Sequence, residues 1–309
     1  MHILTGKCAS PSRAVLSIVV FMHIALLSVT AWAQTPWGQN SQISFETSGS
    51  IDWARGALNA QTSFDLARAG ITLPSGRYLG EETLEEAYPA LLRPFLLSLR
   101  VDSNSIIKDV MDRGEISLEE LDNLCRNAEK IPPSLSADLT RMSGRYTIFT
   151  EKISILLTRH KRPVEPEHPL IPVPVADYTG IIIIADEQLP IHGRRAQVLL
   201  EPCFFPKIWD TNMNLIYERN MMASNLMVRY TTRENIFRST PSGLEGELAA
   251  FIGPRPLRIL AREVFGINPT DPVIDKEDAL KILSSENNRR LLKEGRVVLV
   301  LNKQSLISR

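Results

Sequence analysis

Two short runs bring side chains that can do chemistry onto one loop. Asp186-Glu187 and His192-Gly193-Arg194-Arg195 follow the apolar run Ile181 to Ile184. Loops at strand ends are where binding and catalytic side chains concentrate. A carboxylate pair, a histidine and two arginines could form an acid–base site or an anion site. The same residues would equally make a solvated, salt-bridged turn.

Other chemistry fails on spacing. His160, His168 and His192 are not three or four residues apart, and no Cys-x-x-Cys accompanies them, so no metal site is expected. No Gly-x-Ser-x-Gly elbow occurs. Ser242-Gly243-Leu244-Glu245-Gly246 lacks the Lys-Ser/Thr of a phosphate loop. Arg289, Arg290 and Lys293 suit the negative end of a helix better than a basic patch. No catalytic residue and no cofactor are therefore expected. Met213, Met221, Met222 and Met227 cluster, either as an adaptable contact surface or as gap-fillers in a core. Cys125 and Cys203 are either a disulfide pair or two buried thiols; spacing alone does not decide.

The elements that must position these residues read as follows. Gln42–Phe45 and Ile51–Ala57 predict strands around a Ser48-Gly49-Ser50 turn. Leu84, Tyr88, Leu91, Leu92, Phe95 and Leu99 predict an amphipathic helix over 81–99, with a kink or break at Pro89 and Pro94. A second helical stretch spans about Ser105 to Met111. A third starts at Ser117, with Glu120 completing a capping box, and ends near Pro132-Pro133. Tyr146 to Leu157 reads as a strand. Five prolines between His160 and Pro174 predict a stiff extended connector. Four consecutive isoleucines, 181–184, predict a central strand. Val198–Leu200, Phe204–Trp209, Leu215–Tyr217 and Leu257–Glu263 predict further strands, with a turn at Asp210–Asn214. One helix from Asp275 should end at Gly295, before a last strand at Val297–Leu301.

The N-terminal 33 residues read as a cleaved secretory signal. Lys7 and Arg13 precede an uncharged apolar run, Ala14 to Thr30, and Ala31-Trp32-Ala33 suits a signal peptidase. The run, about 17 residues, sits at the lower limit of spanning length. The only early cysteine, Cys8, precedes it, which argues against lipidation. No later run reaches spanning length, so no transmembrane segment is expected after cleavage. The expected location is the periplasm, where nucleotide cofactors are essentially absent. Lys+Arg and Asp+Glu are both 35, so nothing favours nucleic-acid binding. The expected fold class is α+β: signal peptide 1–33, N-terminal α+β domain 34–160, proline-rich connector 161–175, and a C-terminal mixed α/β domain with a largely β core, 176–309.

Two groups of residues in the second half carry a resemblance. The first is Tyr178-Thr179-Gly180 with Ile181–Ile184, then Pro206-Lys207-Ile208-Trp209-Asp210 and Asn214-Leu215-Ile216-Tyr217. The second is Asp271-Pro272-Val273-Ile274-Asp275-Lys276-Glu277-Asp278-Ala279, then Gly295-Arg296-Val297-Val298-Leu299-Val300. Together they resemble the C-terminal region of secreted bacterial proteins related to small surface lipoproteins and to flagellar assembly protein T. Ile51-Asp52-Trp53 through the 81–99 helix is more loosely similar to that family's N-terminal part. The family pattern has Asp-Ala-Arg-Gly after its aliphatic strand, where this chain has Ala185-Asp186-Glu187-Gln188. The resemblance implies a non-catalytic structural or protein-binding role in the cell envelope or flagellum, with other envelope or flagellar proteins as partners. It transfers no active-site residue.

The resulting expectation is a non-enzymatic periplasmic protein whose contacts come from Asp186, Glu187, His192, Arg194, Arg195, Met213, Met221 and Met222. A different class, a small-ligand or peptidoglycan-binding protein, predicts instead a pocket lined by Asp186, Arg194 and Arg195.

Overall fold

The computed structural model describes residues 43–223, 226–237 and 246–308. The predicted signal peptide lies outside the described residues. In chain order the elements are β1 (Phe45–Asp52), β2 (Ala57–Asp65), α1 (Arg77–Leu97), α2 (Ile107–Asp112), α3 (Leu118–Arg126), β3 (Glu129–Leu135), β4 (Arg141–Phe149) and α4 (Thr150–Leu157). There follow β5 (Ile181–Ala185), β6 (Leu189–Pro190), β7 (Gln197–Val198), β8 (Ile208–Asp210), β9 (Leu215–Tyr217), β10 (Arg229–Thr231), α5 (Arg233–Phe237) and α6 (Gly246–Ile252). The chain closes with β11 (Leu257–Phe265), β12 (Asp271–Ile274), α7 (Lys276–Leu283), α8 (Glu286–Lys293), β13 (Val297–Leu301) and β14 (Ile307–Ser308). The class is α+β. Among the described residues no helix is long and apolar enough to cross a membrane.

The first sheet is antiparallel, in the order β14-β1-β2-β4-β3. The expected turn at Ser48–Ser50 is instead the middle of β1, and the chain reverses at 53–56, where Gly56 takes φ +65°. Helix α1 covers this sheet and runs unbroken through Pro89 and Pro94. An interior proline costs a helix about 3 kcal/mol. Here the buried stripe of Leu84, Tyr88, Leu91, Leu92 and Leu96 holds the segment in place, a case of packing outweighing propensity. Helix α3 begins with the predicted box: Ser117 Oγ accepts from the Glu120 N–H at 3.2 Å, and Glu120 accepts from the Ser117 N–H at 2.8 Å. It ends at Arg126, earlier than expected, because Pro132 and Pro133 belong to β3. That strand lies at the sheet edge and its register shifts between Ile131 and Ser134, the positions where prolines without N–H donors are tolerated.

Tyr146–Leu157 is half strand and half helix. β4 ends at Phe149, and α4 buries Ile153, Ser154 and Leu157 at helical spacing. The β-branched residues suit a strand locally, but only a helix puts this set on one face.

No helix or strand lies between Leu157 and Ile181. The proline-rich stretch is fastened to the second half: the Val164 N–H donates to the Asn220 carbonyl at 2.7 Å, and the Val173 N–H to Ser284 Oγ at 3.1 Å.

The second sheet has seven strands in the order β10-β13-β5-β11-β12-β8-β9. β5 lies between β13 and β11, parallel to both, and both β5 and β13 are buried along their whole length. A strand flanked on both sides and covered on both faces needs the continuous apolar run that Ile181–Ile184 supplies. The final helical region is two helices, not one: α7 stops at Leu283 and Ser285 caps α8, its hydroxyl accepting from the Asn288 N–H. Between the central strands, Phe204–Trp209 is strand only from Ile208.

The two halves share one apolar core. Trp53 meets Phe204 and Tyr230 edge-on, at 5.1 and 5.7 Å between ring centres. Backbone bonds join Phe204 and Phe205 to the carbonyls of Arg100 and Val101. The last strand, β14, pairs with β1 in the first sheet.

Candidate functional site

β10, β13 and β5 run parallel, so their carboxyl ends lie side by side. In open α/β sheets this is where ligands bind. Here the residues leaving those ends are Arg233 beyond β10, Asn302 beyond β13 and Asp186 beyond β5. They bond to each other. Arg233 grips Asp186 with Nε and Nη2, at 2.5 and 2.6 Å, and reaches Glu187 at 3.4 Å. The Asn302 side chain donates to the Asp186 carbonyl at 3.1 Å. The Asp186 carboxylate in turn raises the Arg233 guanidinium above its ordinary value. The cluster ties three strand ends together.

Beyond it, β6 and β7 form a two-stranded ribbon. Its tip is a turn closed by the Arg194 N–H on the Ile191 carbonyl at 2.9 Å, with Gly193 at φ +73°. The third turn position takes that conformation readily only with glycine. The ribbon docks against the outer end of β11. The His192 N–H donates to the Val264 carbonyl at 2.8 Å, and His192 Nδ1 lies 2.5 Å from a Glu263 carboxylate oxygen. The imidazole also meets Phe265 edge-on.

Of the residues the sequence singled out on this loop, Asp186 and Glu187 are thus paired with Arg233, and His192 with Glu263. Arg194 and Arg195 are exposed at the tip. No ion pair joins them to an acid among the described residues. The predicted pocket of Asp186 with Arg194 and Arg195 is not assembled, because Asp186 faces Arg233. Sequence reasoning missed Arg233 and Glu263. Arg233 follows the β-prone run Tyr230-Thr231-Thr232, and a charged residue closing such a run was the available signal.

The methionine surface is corrected. Met221 is 5% and Met222 1% exposed, and Met222 belongs to the main core, against which Met227 packs. Met227 and Met213 stay partly accessible, Met213 in the turn after β8 at φ +62°. The disulfide alternative is corrected as well: Cys125 and Cys203 are both free and buried. Burial pushes the Cys125 thiol up to about 12 and the Cys203 thiol well above its ordinary value. The buried Tyr230 hydroxyl donates to the Cys203 carbonyl at 2.6 Å and accepts from its N–H at 3.1 Å. His160 is half-buried with Nε2 2.6 Å from the Met222 carbonyl oxygen. Among the described residues no three His, Cys, Asp or Glu side chains converge as a metal site would require.

The residues that carried the sequence resemblance are scaffold. Asp210 accepts from the N–H groups of Asn212 and Asn214 and from the Asn214 side chain, which closes the β8–β9 turn. Asp271 is wholly buried and accepts from the Lys207 N–H, the Thr270 hydroxyl and the Trp209 indole, stitching β12 to β8. Desolvation pushes its carboxyl up. Gly180 has the Ile252 carbonyl oxygen 2.7 Å from where a Cβ would stand, so no larger residue fits at the entry to β5.

Residues 44–156 match the family model described as the N-terminal domain of Treponema pallidum Tp0624. Residues 180–303 match the one described as its second domain. No curated protein matches the sequence. The chain is therefore similar, region by region and in the same order, to the N-terminal and second domains of Tp0624.

Proposed function

We propose that this chain is a non-catalytic protein-binding factor of the bacterial cell envelope, exported to the periplasm, with contacts made through the ribbon tip at residues 192–195. One observation carries the reading. The loop's acids and its histidine are spent on Arg233 and Glu263, whereas Arg194 and Arg195 project from a ribbon held rigidly to β11. A preorganised tip with two guanidinium groups that pair with no acid among the described residues suits an acidic patch on another protein, since arginine pairs with carboxylates in two-pronged fashion. The periplasmic location rests on the N-terminal sequence. The flagellar association rests on the sequence resemblance.

A photo-activated cross-linker placed at position 195 in living cells tests this. Adducts with flagellar motor or filament components are expected. Adducts with other envelope proteins alone would remove the flagellar part and keep the envelope role. No adduct above that of a cross-linker at exposed Lys152 would reject the tip as a contact surface.

A further inference from the structure

The two edges of the first sheet are treated differently. An open edge presents unpaired N–H and C=O groups to any extended chain, and natural sheets usually block it. The β3 edge is blocked. It carries Pro132 and Pro133, a register shift, and the exposed charges of Glu129 and Lys130. The β1 edge is covered by β14 only at Ile51 and Asp52. Among the described residues nothing pairs with Phe45–Ser50 on that side. This stretch, Phe-Glu-Thr-Ser-Gly-Ser, has no proline, and its one charge, Glu46, is paired with Arg141 at 2.5 Å.

The direction of its backbone groups follows from one bond. The Trp53 N–H donates to the Leu306 carbonyl at 3.0 Å, on the β14 side. In an antiparallel ladder alternate residues turn both backbone groups to the same neighbour. Ile51 therefore faces β14, and Gly49, Thr47 and Phe45 face the same way with no strand opposite. A cleft of about 650 Å³ opens at the Gly49–Ser50 end of this line, beside β14, its walls including Gly49, Ser50, Phe95, Leu99, Val198 and Ser308. A Cβ at Gly49 would come within 2.7 Å of the Phe95 ring, so glycine lets that ring approach the strand closely and form an apolar wall.

We propose that the open length of β1, Phe45 to Ser50, accepts an extended segment of a partner protein as an added antiparallel strand, continuing the line of β14. The segment carries apolar side chains at alternate positions, directed over Phe95 and Leu99, and polar ones between. Backbone bonds supply the affinity and the apolar wall the selectivity, as in other cases of strand addition. This deepens the protein-binding reading by naming the partner's conformation, and rests on it. The surface is separate from the 192–195 tip.

The probe is a capped peptide, acetyl-Ser-Val-Thr-Val-Thr-Val-Ser-amide, added to the full chain while amide hydrogen exchange is followed. Exchange at Thr47 and Gly49 is expected to slow by about tenfold or more. Thr47→Pro removes an outward N–H without touching the β2 ladder and is expected to abolish the slowing, while Thr47→Val keeps it. The same peptide with methylated backbone nitrogens is expected to have no effect, which decides the matter even if Thr47→Pro folds poorly. Unchanged exchange with the unmethylated peptide overturns the proposal. So does slowing that survives both Thr47→Pro and methylation. Equally slow exchange without any peptide also overturns it, by showing the edge already covered by the chain itself. Replacing Arg194 and Arg195 by glutamate leaves the slowing intact, so a failure here is distinct from a failure of the ribbon tip.

Discussion

β5 and the ribbon tip are close in sequence and opposite in character. Ile181–Ala185 is buried on every side and supplies packing. Residues 193–195 are exposed and supply almost none. Between them the polar groups are divided: those at the strand end are consumed in tying β5, β10 and β13 together, and the arginines at the tip pair with no acid among the described residues. A loop rich in charged residues is therefore not one site. Charges nearest the sheet act on the fold, and only charges carried past it can act on a partner.

Substitutions from the core outward to the tip should separate the two kinds of residue. The largest effect is expected at the junction of the two halves. Trp53→Ala removes a buried indole packed against Phe204 and Tyr230 and is expected to destabilise the protein by about 3–5 kcal/mol, read from urea unfolding by circular dichroism. A smaller loss would mean that the halves do not depend on each other. Ile183→Ala opens a cavity in the central strand, with an expected loss of about 2–4 kcal/mol in the same assay.

The helix cap is an intermediate case, exposed yet structural. Ser117→Ala is expected to cost about 1 kcal/mol. Its partner Glu120 is lowered from 4.5 to about 2, chiefly by the Ser117 N–H and then by Arg159. A lowered carboxyl stabilises the fold above its ordinary value and loses that contribution as pH falls through the folded one. The stability gap between the wild type and Glu120→Gln should therefore be full near neutrality and shrink between pH 4.5 and about 2. A gap that does not change with pH would contradict the assigned pairing.

The smallest stability effect is expected at the tip. Arg194→Glu with Arg195→Glu should change unfolding free energy by less than about 0.5 kcal/mol, as exposed positions without partners do. A larger loss would show that the tip belongs to the fold.

Much of the scaffold was legible because it depends on local patterns. The four isoleucines announce a buried strand, and Ser117 with Glu120 announces a helix start. Elements decided by distant packing were not legible. Thr150–Leu157 carries a strand-like composition, and its helix emerges only when the burial of Ile153 and Leu157 is known. α1 survives two prolines because of what it covers. The sequence names the charged residues of the candidate loop but not the partners the structure gives them. Asp186 is bonded 47 residues away to Arg233, and His192 71 residues away to Glu263. No local spacing encodes those pairs; they follow from the parallel order of β10, β13, β5 and β11. Met221 and Met222 illustrate the same limit, since a flexible apolar side chain reads alike in a core and on a surface.

In the proposed reading the tip binds a partner and does not support the fold. The most direct test combines cross-linking from position 195 with the Arg194→Glu, Arg195→Glu substitution made one residue at a time, the cross-linker moving to the vacant neighbour. Each charge reversal is expected to remove the adduct while the melting curve stays superimposable on that of the wild type. Adducts of undiminished yield from both charge-reversed proteins would contradict it.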